Sequence, residues 1–506
     1  MPENMTGRAR PNEGYRMQPV HAGPRSFGAH FVESVILTWA GHAARIVIGL
    51  VALRLVTGAI PEADLGAYWV LTSVSGLLAN FADLGLGLGV VRHLPIAADA
   101  AAARRLMHTV LVLRLGVLAL LCALIALLRP WVLRLFDADM IAAKYNYLYA
   151  FVIATSIAEL YNNFLQGLNR FRIMALYALI SSVGRLALLL IFVRRLGLGV
   201  EGLFLSEIVA MIAATLLSAW SSGHGQRPQF DREHASEQLR FGFPLYLNTL
   251  LSYTANRINT VLIGSMRDTI AVSWFSVAAR VPDQLSFVLR AYNLVYLPNL
   301  SRLAASGDAA AAPRLLGSSL RLMGCAFALL ALLLSFVRGP LLAFLAPPSY
   351  QVAAPAVPLL LGGLAFAALG SILGSTLVAL GDSRTPVRIN FWTSLIAFGL
   401  NAVCIARWGF MGAAWANLVW NAIAYGITDV VVSRRMSPAS RGYLAIVGWV
   451  GACVVVGVNA SIAVRIVMIA VATGGCFVIS PALRGDVARV WRTAREMGPG
   501  SSSGPA

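Results

Sequence analysis

The stretches Thr254-Ala255-Asn256-Arg257-Ile258-Asn259 and Ala279-Arg280-Val281-Pro282-Asp283, the second followed by Arg290, put charge and amide groups in the middle of two otherwise apolar runs, Phe241–Gly264 and Ala271–Leu297. Each run reaches the roughly 20 residues needed to cross a hydrocarbon core, and a short polar turn, Ser265-Met266-Arg267-Asp268, joins them. A charged side chain at the bilayer centre costs about 2.5–3.5 kcal/mol even on the lenient insertion scale, so Arg280, Asp283 and Arg290 are expected to face protein or water. Helical periodicity allows this. Arg280, Asp283 and Arg290 fall roughly on one side of a helix, and Thr249, Tyr253, Arg257 and Thr260 share a face of the first run. The pair reads as one wall of a polar, cationic cavity inside a membrane bundle.

Composition extends that reading to the whole chain. Hydrophobic residues make up 58% of it and charged residues 12%, which places it with polytopic membrane proteins. The net charge of +18 would suit a nucleic-acid binder, but the arginines are scattered between hydrophobic runs, as the positive-inside rule asks of loops, and no nucleic-acid partner is expected. Cys122, Cys325, Cys404, Cys453 and Cys476 are isolated, odd in number and inside apolar segments, so neither a disulfide framework nor a zinc site is expected. Residues 1–31, with Arg8, Arg10, Arg16 and Arg25 among prolines and glycines, read as a disordered basic tail and not as a signal peptide.

Hydrophobic runs set against turn and charge signals give fourteen spans, near 34–57, 65–91, 106–128, 145–166, 173–193, 200–220, 241–264, 271–297, 315–337, 352–379, 387–406, 411–433, 442–458 and 462–481. With the N-terminus inside, the inner segments hold most loop arginines, whereas the outer ones hold only Arg129, Arg134, Lys144, Arg194, Arg195, Arg267, Arg338 and Arg407. That asymmetry places both termini in the cytoplasm. An internal repeat accompanies it. Gly58, followed eight residues later by Gly66-Ala67-Tyr68-Trp69, matches Gly264 followed by Val272-Ser273-Trp274-Phe275; Leu113-Arg114-Leu115 matches Leu320-Arg321-Leu322, and Gly199-Val200-Glu201-Gly202 matches Gly409-Phe410-Met411-Gly412, at offsets of about 206 to 210 residues. Six spans per copy is an even number, so the copies point the same way and are related by an axis along the membrane normal. The expected organisation is a tail (1–31), an N-lobe (32–220), a basic link (221–240), a C-lobe (241–433), two further spans (434–481) and a cytoplasmic tail (482–506).

Two stretches carry a family resemblance: Phe81-Ala82-Asp83-Leu84-Gly85-Leu86-Gly87 running to Pro95, and Leu165-Gln166-Gly167-Leu168-Asn169-Arg170-Phe171-Arg172. Both, together with Trp274 to Arg302, resemble bacterial polysaccharide-biosynthesis flippases. The resemblance covers about residues 34 to 480. It implies an all-α integral membrane fold shared with multidrug and toxin extrusion (MATE) transporters, with about fourteen helices, two pseudo-symmetric six-helix lobes and two C-terminal helices, working by alternating access. The implied substrate is an undecaprenyl-pyrophosphate-linked oligosaccharide in the bacterial inner membrane, with membrane lipids, a polysaccharide polymerase and a co-polymerase as partners. It assigns no single residue.

The residues say what such a site requires. Guanidinium stays charged and offers a planar fork to phosphate oxygens. Ser34, Thr38, His42, Arg45 and Gly49 make a polar stripe in the first span, so Arg45 joins Arg257, Arg280 and Arg290 as candidate pyrophosphate ligands. Arg54, nine residues on, points elsewhere and reads as snorkelling to an interface. Asp283 either neutralises Arg280 or helps form the site. Asp83, Glu159, Glu207 and Asp283, with His42, are candidates for gating or for proton or sodium coupling, against a plain role in helix packing. Arg114 and Arg321 read as structural or headgroup-binding. No P-loop, dinucleotide fingerprint or metal-ligand spacing is present, so no cofactor or enzymatic reaction is expected. A peptidoglycan-precursor flippase and a MATE-type drug or cation antiporter are the alternatives. A glycan polymerase would need a larger outer loop than Arg129 to Lys144.

Overall fold

A backbone withdrawn from water must satisfy its own N–H and C=O groups, which over runs of this length means helix. The computed structural model describes residues 46–97, 99–135, 142–222, 230–305, 311–382, 384–436 and 442–496, and among them there is no strand. The helices are α1 (Ile46–Ala59), α2 (Glu62–Asp83), α3 (Leu86–His93), α4 (Ala100–Leu135), α5 (Asn146–Gly167), α6 (Phe171–Leu189), α7 (Gly199–Ser222), α8 (Arg232–Met266) and α9 (Thr269–Ala305). They continue with α10 (Ala311–Phe336), α11 (Arg338–Leu345), α12 (Ala356–Ala379), α13 (Arg384–Ser433), α14 (Gly442–Gly457), α15 (Ile462–Ile479) and α16 (Pro481–Glu496). Among the described residues, eight helices are long and apolar enough to cross a membrane. One of these, α13, is two arms broken at Gly409 (φ 58°, ψ −139°), whereas α5, α8 and α9 are not among the eight.

Several boundaries differ from expectation. The run 65–91 is not one helix: Leu84 (φ 47°) and Gly85 (φ 82°) adopt left-handed backbone and separate α2 from α3. The Asp83 carboxylate makes the break tenable by accepting the N–H groups of Gly85 and Gly87, each at 3.2 Å. The basic link 221–240 is helical from Arg232, and α4 runs through Pro130 to Leu135, which shortens the expected outer loop. Residues 481–496, placed in a tail by the sequence reading, form α16. Each difference has one cause. Hydropathy marks where a helix is apolar, while backbone hydrogen bonding carries it on into polar surroundings until a cap or a steric stop ends it.

Helices α2, α5, α6 and α7 pack among themselves, as do α8, α9, α10, α12 and α13, and α2 joins the groups by lying along α8 and α9. That seam needs small residues. A Cβ at Gly66 would run into the backbone carbonyl of Thr269, and Gly85 and Gly242 sit so close that a Cβ on either would meet the other's backbone. Trp274 Nε1–H donates to Glu62 at 2.7 Å across the same seam, and Lys144 holds Asp64 at 2.9 Å. Helix α14 packs on α10 and α15, and α16 reaches α10 through Asp486, which is buried and bonded to Arg321 at 2.6 Å.

Candidate functional site

A cavity of about 430 Å³ opens between α1, α2, α6, α7 and α9. Helix α9 contributes Arg280, Gln284, Phe287 and Arg290, a sequence of i, i+4, i+7 and i+10 positions that keeps one helix face toward the space. Tyr68 and Trp69 come from α2, Arg185 from α6 and Glu207 from α7. Among the described residues, three arginines therefore share the cavity with one carboxylate.

Tyr68 is fully buried, and its O–H donates to the Glu207 carboxylate. Arg185 approaches the same carboxylate at 3.4 Å. The Arg280 guanidinium sits 4.3 Å from the centre of the Trp69 ring, a cation–π arrangement that stabilises a cation without neutralising it. Neither Arg280 nor Arg290 forms an ion pair with a described carboxylate, because the nearby Asp283 is 4.0 Å from Arg257. Two donors in the wall, Trp69 Nε1–H and Arg185 Nε–H, are buried and have no acceptor among the described residues. Native structures rarely leave such groups unpaired. Surplus positive charge and idle N–H donors together describe a site for an acceptor-rich anion.

The structure separates the expected site residues. Arg280 and Arg290 line the cavity, and so does Glu207. Arg257 does not line it; it pairs with Asp283, and both side chains are about half exposed, at 45% and 51%. Asp283 is within ion-pair distance of Arg257, which the α8–α9 hairpin places beside it, and its charge also acts on Arg280. Arg45 and His42 lie outside the described residues. Asp83 and Glu159 gather around Arg114, which is completely buried and bonded to Asp83 at 2.7 Å and to the Ser156 carbonyl at 3.2 Å, with Glu159 at 3.7 Å. That cluster fastens α4 and α5 to the α2–α3 break. Arg321 has a comparable place in the second copy, with Asp486 as its partner.

Arg185 is the cavity residue that the sequence reading left unassigned. Its signal was present: Tyr177 and Ser181 precede it at helical spacing and make a polar stripe on α6, and both line the cavity. Tyr68 and Trp69 carried no signal, because an aromatic pair in an apolar helix is ordinary packing until its neighbours are known.

No curated protein matches the chain. Among solved structures it is similar to an inward-facing multidrug resistance MATE transporter of the MOP superfamily, at 18% identity and TM-score 0.64, over 80% of this chain and 98% of that one. It is also similar to the lipid II flippase MurJ in an inward closed conformation, at 14% identity and TM-score 0.71, over 88% and 99%. A Vibrio cholerae MATE transporter, VcmN, aligns at 16% identity and TM-score 0.54, over 83% and 99%. These likenesses establish the fold, and a family model described as "Polysaccharide biosynthesis protein" matches residues 31–304. The chain is therefore a multi-pass membrane protein with the MATE-like fold, and it belongs to the polysaccharide biosynthesis protein family.

Proposed function

We propose that the protein flips an isoprenoid-pyrophosphate-linked oligosaccharide from the cytoplasmic to the periplasmic leaflet of the bacterial inner membrane, with both termini in the cytoplasm. One observation carries the reading: among the described residues, Arg185, Arg280 and Arg290 share a cavity with a single carboxylate, Glu207. A pyrophosphate supplies the charge and acceptor oxygens this arrangement lacks, and arginine binds them with a rigid fork. The family match supports a glycan as cargo, and the likeness to a lipid II flippase supports a lipid-linked one.

In this reading the two helix groups, 32–220 and 241–433, rock about the α2 seam, and the pyrophosphate is held between α6 and α9. Release matters as much as capture, since a site that binds too strongly cannot conduct. Glu207 serves release: it already occupies Arg185, so bound phosphate competes with an internal anion and the cavity is kept below its maximal affinity. A drug antiporter for cations is disfavoured, because the cationic surplus would repel its substrate. The test is transport in proteoliposomes with a fluorescent lipid-linked glycan. Glutamine at Arg280 or Arg290 should abolish flipping at normal protein abundance, and wild-type flipping by a triple glutamine variant at Arg185, Arg280 and Arg290 would refute the proposal.

A further inference from the structure

A second cavity, of about 390 Å³, lies among α8, α12 and both arms of α13. It is the repeat counterpart of the first on one side. The glycine patterns at Gly199 and Gly409 align α7 with the second arm of α13 at an offset of 210 residues. At that offset Ala210 and Met211, which line the first cavity, correspond to Trp420 and Asn421, which line the second. The charge is not repeated: Glu207 corresponds to Asn417, and no charged side chain is found in the described lining of the second cavity.

What lines it is aromatic and amide. Phe366 and Tyr425 lie with ring centres 5.8 Å apart, and Trp420 is 9% exposed with its Nε1–H buried and lacking an acceptor among the described residues. Asn421 donates its amide to the Asn417 carbonyl at 2.8 Å, which fixes the orientation of its side chain in the wall. Asn390 is oriented by its bond to Ser252 Oγ at 2.8 Å, and Ser371 by the amide of Asn293 at 2.9 Å. The volume falls in the usual range for small-ligand pockets of about 300–1,000 Å³. An anion would find no cation here and a cation no carboxylate. An isoprenoid chain would leave the buried Trp420 N–H unsatisfied, which is costly away from water. A sugar ring suits this lining, with apolar C–H faces for the aromatic side chains and a hydroxyl for the idle Trp420 donor.

We propose that this second cavity binds an uncharged sugar ring of the transported glycan, while the cationic cavity takes the pyrophosphate; the inference rests on the lipid-linked reading above. The test is binding to the full chain in nanodiscs of two probes, undecaprenyl pyrophosphate and the same lipid carrying one N-acetylglucosamine. Wild-type protein should bind the glycosylated probe about tenfold more tightly. Trp420→Leu and Asn421→Leu should remove that preference and leave the bare probe within about twofold, which also reports that the variants are folded. Trp420→Phe keeps the ring and deletes the donor, and should lose about fivefold for the glycosylated probe alone. Equal weakening of both probes would assign the cavity to the shared isoprenoid and overturn the proposal. So would a wild-type protein indifferent to the sugar, or variants that keep the preference. Failure of wild type to bind either probe would refute the pyrophosphate reading itself and this inference with it.

Discussion

Replacing Arg280 by Gln removes one of three cations from the first cavity while keeping a side chain able to donate a hydrogen bond. A guanidinium about 4 Å from a phosphate oxygen interacts by about 4 kcal/mol at an effective dielectric constant of about 20. Displaced water and retained hydrogen bonding reduce the net loss to the range of a charge-assisted bond, about 1.5–3 kcal/mol. Affinity for a pyrophosphate lipid should then fall about 10- to 100-fold. Folding stability should move differently. The substitution deletes the stacking of Arg280 on Trp69 at 4.3 Å, worth up to about 2 kcal/mol, but it also removes a cation that no described carboxylate pairs, whose desolvation costs several kcal/mol. The variant should therefore be at least as stable to heat as the parent while failing to flip. Arg280→Lys should fall between, since it keeps charge and loses the planar fork. The assay is flipping of a fluorescent lipid-linked glycan in proteoliposomes, read beside Tm. An Arg280→Gln protein that unfolds at clearly lower temperature yet flips normally would refute the reasoning, because it would make Arg280 a packing residue.

Arg257→Gln serves as the control: Arg257 is half exposed and 4.0 Å from Asp283, so its loss should lower flipping by less than about threefold in the same assay. Arg114→Met should destabilise the protein by about 3–5 kcal/mol by leaving Asp83 without its cation, seen as lost folded yield, and adding Asp83→Asn should recover part of it. Gly242→Leu should block folding or prise α8 from the α2–α3 break, since its Cβ would enter the Gly85 backbone, and size-exclusion of the detergent-solubilised protein would report it. Asp486→Asn should loosen α16 from α10, measured as faster proteolysis after Ile479, because Arg321 then lacks its buried partner. Cysteines introduced into the 221–240 link should be labelled only from the cytoplasmic side, and periplasmic labelling would overturn the orientation.

How far the sequence could be read follows from the range of the forces involved. Apolar run length, turn residues and the repeat of Gly199–Gly202 at Gly409–Gly412 are local features, and they specified an all-helical membrane bundle in two similar halves. The cost of burying charge is also local, so Arg280 and Arg290 were recognisable as residues needing a polar environment. Partner choice is not local. Asp283 stands three residues from Arg280, yet it goes to Arg257 because the α8–α9 hairpin places that side chain beside it. Asp83 and Glu159, for which spacing leaves gating or ion coupling and helix packing both open, gather at Arg114, and Asp486 reaches across 165 residues of sequence to Arg321. Sequence by itself determined the fold class, the repeat and the presence of cations in the middle of long helices, since each depends on the free energy of single residues in single helices. Only the tertiary structure decided which cations are neutralised and which, Arg280 and Arg290 with Arg185 beside them, are left facing a cavity, because neutralisation depends on distances between helices that no spacing along one helix contains.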